Sequence, residues 1–240
     1  MSTSKKSNKF WLGIAVAVVL PLSFYVIAKV LKKDHIKMPG HYISEKIEGK
    51  LLDGQMHYDT IFHRIPDLTF TNQLGEKVSL NSSLSGKILV VDFIFTHCPT
   101  TCPTLTENMK LLQRAFRKDP KKETDMSNEL HLLSITVDPT RDSVQALRKF
   151  ADRFGVDHDH WDFLTGDKST IYNFARHDLG LSAAAGGEGT DDFIHTEKIV
   201  LIDADRYIRG YYNGLDSLDI SRCAYEISLL SMEKKRQIKN

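Results

Sequence analysis

From Lys87 to Phe95 the chain reads KILVVDFIF, a continuous β-branched and aromatic run. A strand with one wet face alternates apolar with polar residues, so an unbroken run of this kind belongs to a strand covered on both faces. HLLSITVD (131–138) is a second such strand, and Trp161 to Leu164 is a short third. Between and after them the period lengthens. Leu105, Met109, Leu112 and Phe116 recur at helical spacing, SVQALRKFADRFG (143–155) is an amphipathic helix closed by Gly155, and Ile171 to Leu179 is another helical stretch. DLTFTNQLGEKVSL (67–80) predicts a hairpin turning at Leu74-Gly75, KIVLIDADRYIRGYYNG (198–214) a second, and 216–235 a closing helix. Strands alternating with helices give an α/β sheet with helices on both faces.

Composition sets the class. With 41% hydrophobic and 26% charged residues in 240, the chain is neither disordered, collagen-like nor a many-span membrane protein. Its net charge of +1 hides a split: residues 1–37 carry seven lysines against one acid, Asp34, so the remainder is net acidic. An acidic body has no field to gather phosphates, which excludes nucleic acid as a partner.

The lysines bracket FWLGIAVAVVLPLSFYVIA, uncharged from Phe10 to Ala28. As a helix this run extends roughly 28 Å, close to the thickness of a bilayer's hydrocarbon core, and predicts a single N-terminal transmembrane helix. A cleaved secretory signal has a shorter apolar region ending in a small-residue site, whereas Ala15 and Ala17 lie inside the run. Three lysines on each side leave orientation undecided by charge. The expected organisation is a short tail (1–9), an anchor (10–31), a juxtamembrane linker (32–60) and one domain (61–235). The nine residues before the span hold no Arg and show no mitochondrial transit pattern, which favours a bacterial inner membrane.

Chemistry concentrates in FTHCPTTCPTLTENM, where the 87–95 strand gives way to a helix. With Pro99 near the first helical position, Cys98 and Cys102 would share one face of the first turn, their Cα atoms about 6 Å apart. Free N–H groups and the helix dipole lower thiol pKa values at such a site. The pair is then a nucleophile, a disulfide or a soft-metal clamp, against the plainer reading of two small packed hydrophobes. Two thiolates are an incomplete metal shell. His97 should point away as an extended-chain neighbour of Cys98. His195, just before a strand and after the Gly/Ala-rich stretch 180–192, is the candidate third ligand; His158 and His160 in VDHDHWD are weaker ones. Two thiolates with an imidazole suit Cu(I), whereas structural Zn(II) normally takes a fourth protein ligand. Cys223, among Ile220, Ile227 and Leu230, reads as core.

FIFTHCPTTCP (93–103), SITVDPTRD (134–142), WDFLTG (161–166) and DDFIHTEKIVLID (191–203) occur in the order and spacing of the Sco/SenC family, which the chain resembles over about residues 60–232. The resemblance implies a membrane-anchored, thioredoxin-like copper protein that helps assemble the Cu(A) centre of cytochrome c oxidase. By the same resemblance Cys98, Cys102 and His195 bind copper, as Cu(I) and in some states Cu(II), and the cysteines cycle between dithiol and disulfide. The implied acceptor is cytochrome c oxidase subunit II, with another copper chaperone or a thiol reductase as further partners. Thr100 and Thr101 replace residues often acidic or aliphatic in the family, which removes no ligand. Asp138 matches the family's DP motif and receives no ligand role.

The nearest competitor is a membrane-tethered thiol-disulfide reductase. Thioredoxin-type enzymes usually carry C-x-x-C and a cis-proline before a late strand; here the spacing is C-x-x-x-C, and no proline follows Pro139. A peroxiredoxin-like site needs Thr or Ser three residues before its cysteine, where this chain has Phe95 and Pro99. A metallochaperone with its domain in the periplasm, where disulfides form, is therefore the expected function.

Overall fold

The computed structural model describes residues 8–31, 38–52, 55–117, 128–181 and 197–239. The chain divides into two compact units, Met1–Lys37 and Met38–Asn240. In the first, Asn8–Leu31 forms helix α1, with side chains described for residues 16–27. Among the described residues no helix is long and apolar enough to cross a membrane.

The stretch 32–60, expected as a linker, holds strand β1 (Ser44–Leu52), which pairs antiparallel with β2 (Gln55–Phe62). Gly49 and Thr60 interrupt the apolar series of its alternation, and neither side of this hairpin is buried in the core. The compact unit accordingly starts at Met38.

A second hairpin, β3 (Thr69–Thr71) with β4 (Lys77–Ser79), turns where the sequence predicts. Gly75 supplies a φ of +84°, and the Asn72 carboxamide oxygen accepts from the Leu74 and Glu76 amides. The central sheet follows in the order β7-β6-β5-β8-β9. Strands β5 (Ile88–Ile94), β6 (Leu130–Thr136) and β7 (Trp161–Leu164) are parallel, and β8 (Lys198–Ile202) and β9 (Ile208–Asn213) close it antiparallel. Every residue of β5, β6 and β7 is buried, as continuous apolar strands require.

Helices α2 (Thr101–Phe116) and α3 (Val144–Phe154) carry the parallel crossovers, and α5 (Ser217–Lys239) ends the chain. These three pack on one face, where Val90, Ile94, Leu105, Met109, Leu147, Trp161, Cys223 and Ile227 form one core cluster. Buried Cys223 is thus the packing residue it was expected to be. The other face meets β3–β4 and α4 (Lys168–Asn173), with Phe70, Leu89, Val91, Leu133, Leu164 and Phe174 in a second cluster. Helices do cover both faces, but α4 stops early: Phe174–Asp178 widen into a π-helical turn before Gly180 at φ +59°. Gly155 ends α3 in a left-handed cap, as expected.

Candidate functional site

The site lies at the carboxyl end of β5, where open α/β sheets place their ligands. Pro99 is not the first helical residue. Helix α2 starts at Thr101 after a Thr100 cap that makes no side-chain hydrogen bond, so Cys98 sits in the preceding loop and Cys102 in the first turn. The sulfurs do not share a helical face. Instead the loop folds back, with the Cys98 amide donating to the Phe95 carbonyl at 3.2 Å, and brings Cys98 Sγ within 3.2 Å of the Cys102 amide. The sulfur takes the place of a helix-capping acceptor, occupied elsewhere by Ser or Asp oxygens.

This geometry divides the pair. Burial works against the Cys98 thiolate, but hydrogen bonds from the Cys102 amide and thiol and from the Thr100 and Thr101 amides outweigh it, and the pKa falls. Cys102 moves the other way, pushed up to about 12 by burial, by its hydrogen bond and proximity to Cys98, and by the Asp92 charge. The expected lowering therefore holds for Cys98 alone. Both thiols are free and buried, Cys98 8% and Cys102 5% exposed.

Of the histidines, His97 is exposed, and its Nδ1 lies 3.1 Å from Thr96 Oγ1 and 3.7 Å from Asp142. His158 is held between Gln73 and Asp152, and His160 by Asp157, which makes both structural. His195 lies outside the described residues, as does the stretch 182–196 around it. Among the described residues no group of three or more His, Cys, Asp or Glu stands together to hold a metal ion.

The family model for SCO1/SenC matches residues 62–228, taking in the cysteine loop and the last strands. The chain belongs to the SCO1/SenC family. The SCO1 protein homolog of Bacillus subtilis is 34% identical over 165 residues, 68% of this chain and 81% of that protein. A structure of BsSco, a member of the Sco family of cytochrome c oxidase assembly proteins, is similar with a TM-score of 0.58 at 32% identity, covering 71% of this chain and 94% of that one. Bradyrhizobium japonicum ScoI with copper bound is similar with a TM-score of 0.50 at 26% identity, covering 65% and 97%. The α/β architecture is thus the thioredoxin-like one of the Sco proteins.

Two residues of this SCO1/SenC site escaped the sequence reading. Asp142, fully buried at the end of SITVDPTRD, accepts from the Thr96 amide at 3.1 Å and from the Thr96 and Thr136 hydroxyls. Its own amide donates to the Asp138 carbonyl at 2.9 Å. One carboxylate thereby ties the ends of β5 and β6 beneath the Cys98 loop. Asp138, singled out instead, contributes this carbonyl and a loose ion pair to exposed Arg141 at 3.7 Å.

The second is Asp92, the one acid inside KILVVDFIF, which was the visible signal. Ser134 donates to its Oδ1 and the Trp161 indole to Ser134 at 3.0 Å, while its buried Oδ2 has no partner among the described residues. Burial raises its pKa to about 7, against the Ser134 hydrogen bond. A raised folded-state pKa means the stability associated with the neutral acid is present below the unfolded value near 4 and is lost as pH rises through about 7. Asp92→Asn is therefore expected to stabilise the chain little at pH 4 and by up to about 4 kcal/mol at pH 8. Urea unfolding of both proteins across this range measures the difference.

Proposed function

We propose that this SCO1/SenC protein carries copper to the Cu(A) site of cytochrome c oxidase subunit II. The reading is carried by the Cys98–Cys102 pair: two thiols held within one loop and helix turn, one of them with a depressed pKa, on a chain whose relative binds copper. Soft thiolates select Cu(I) over harder cations, and Cu(II) is a second state of the same cargo. Cys98 and Cys102 hold the ion, and His195 supplies the third donor that the described residues lack. Transfer proceeds by exchange: acceptor thiolates replace those of this chain one at a time, so no electron moves.

The uncharged run 10–28, helical within α1, is the membrane anchor. The domain faces the periplasm of a bacterial inner membrane, where another copper chaperone can load it. A copper(I) titration of the reduced full chain is expected to give one ion per chain, with affinity weakened at least about tenfold by His195→Ala. Undiminished binding in that variant would remove the three-ligand site.

The unequal cysteines favour a second reading, a thiol-disulfide reductase for the same acceptor. The Cys98 thiolate attacks the acceptor's disulfide, and Cys102 then displaces the mixed disulfide. The acceptor leaves as a dithiol and this chain as a Cys98–Cys102 disulfide, which a thiol reductase must reduce again. Rescue of a deletion strain's oxidase defect by added copper favours delivery; rescue by added thiol reductant favours reduction.

A further inference from the structure

The hairpin β1–β2 is amphipathic across its pairing. Ile47 and Leu51 of β1 alternate with Gly49, and the register sets them opposite Thr60, Met56 and Tyr58. Side chains alternate across a strand, so all six positions share one face. Lys46, Glu48 and Lys50, with Ile61, Asp59 and His57 opposite, occupy the other. The apolar face is open to solvent: Ile47 is 66% exposed, Leu51 69%, Met56 53% and Tyr58 73%. Gly49 lets Met56 and Tyr58 lie across it, since a Cβ there would meet Met56 Cε at 2.7 Å.

Among the described residues the hairpin is tied to the domain at its base, by the Tyr42 amide to the Ile208 carbonyl at 3.0 Å, the Ile65 amide to the Arg206 carbonyl at 3.0 Å and the His63 imidazole to Asp178 at 3.5 Å. A two-stranded hairpin is marginal in water without a surface to cover it. A contiguous exposed apolar face marks a protein or a membrane as its partner.

We propose that this face lies on the lipid bilayer. The inference rests on the reading of residues 10–28 as a membrane anchor. Residues 32–43 separate α1 from β1, at most about 40 Å of extended chain, so an anchored chain keeps the hairpin permanently close to a bilayer. Aliphatic side chains beside a tyrosine suit the acyl-headgroup boundary, and the charged face remains in water. The hairpin then serves as a second foot, restraining how the domain stands on the membrane and which way its cysteine loop can turn.

The test places the full chain in phosphatidylcholine and phosphatidylglycerol nanodiscs, with or without acyl chains brominated near the headgroups, which quench nearby indoles. The chain has two tryptophans, Trp11 and fully buried Trp161. Wild-type Trp11 reports the anchor. In a Trp11→Phe background Tyr58→Trp reports the hairpin, with Trp11→Phe alone as the blank. Bromine is expected to remove at least about half of the emission added by Tyr58→Trp, and Ile47→Asp with Leu51→Asp to restore it. Quenching of Trp11 without quenching at position 58 overturns the hairpin contact and leaves the anchor. Quenching at position 58 without quenching of Trp11 supports the contact and overturns the anchor. Protection of position 58 from aqueous acrylamide without bromine quenching identifies a protein occupant and overturns the proposal.

Discussion

In the reduced chain at pH 8, iodoacetamide is expected to alkylate Cys98 at least about a hundredfold faster than Cys102, with Cys223 inert. Only thiolates react at useful rates, and a group with a pKa of about 12 is ionised in roughly one molecule in ten thousand at that pH. Cys98 is favoured by the amide donors that lower its pKa. Cys223 is fully buried and its pKa is raised by that burial. Mass mapping of the alkylated peptides reads the order directly. Equal rates at Cys98 and Cys102 would mean that the capping geometry at Cys98 Sγ is absent in solution. On the proposed copper site, Cys98→Ala or Cys102→Ala is expected to lower Cu(I) affinity by several orders of magnitude, since a site with one thiolate loses its chelate.

Asp142→Ala is expected to destabilise the chain by about 3–5 kcal/mol, one of the largest effects available to a single polar substitution. The variant strands the Thr96 amide and removes the common acceptor of two hydroxyls at the ends of β5 and β6. It should also slow alkylation of Cys98, because the loop that delivers the sulfur to the Cys102 amide starts at those same residues. Arg141→Ala, beside it on an exposed side chain, is expected to change stability by less than about 0.5 kcal/mol. Urea unfolding and the alkylation rate together separate the two effects. Unchanged alkylation in a destabilised Asp142→Ala would confine Asp142 to the fold.

The central sheet was legible because burial on both faces leaves a composition no loop shares, and the Leu74-Gly75 turn because positive φ selects glycine. The β1–β2 hairpin was not, because Gly49 and Thr60 interrupt its apolar series and no core side chain marks it. At the site, the spacing of Cys98 and Cys102 at a strand end announced the chemistry, yet misplaced the helix start by two residues. Thr100, rather than Cys98, precedes the first helical residue. Asp142 was hidden because its role is contact across residues distant in sequence, forty-six positions from Thr96.

The sequence by itself determined the buried strands of the central sheet, the left-handed end of α3 at Gly155 and the packing of Cys223, since each follows from side-chain type and local spacing. Only the tertiary structure decided that the two thiols are unequal. That difference arises where the Cys98 loop folds over the α2 N-terminus while the sheet, with buried Asp92, closes around Cys102, so one sulfur gains amide donors and the other loses water.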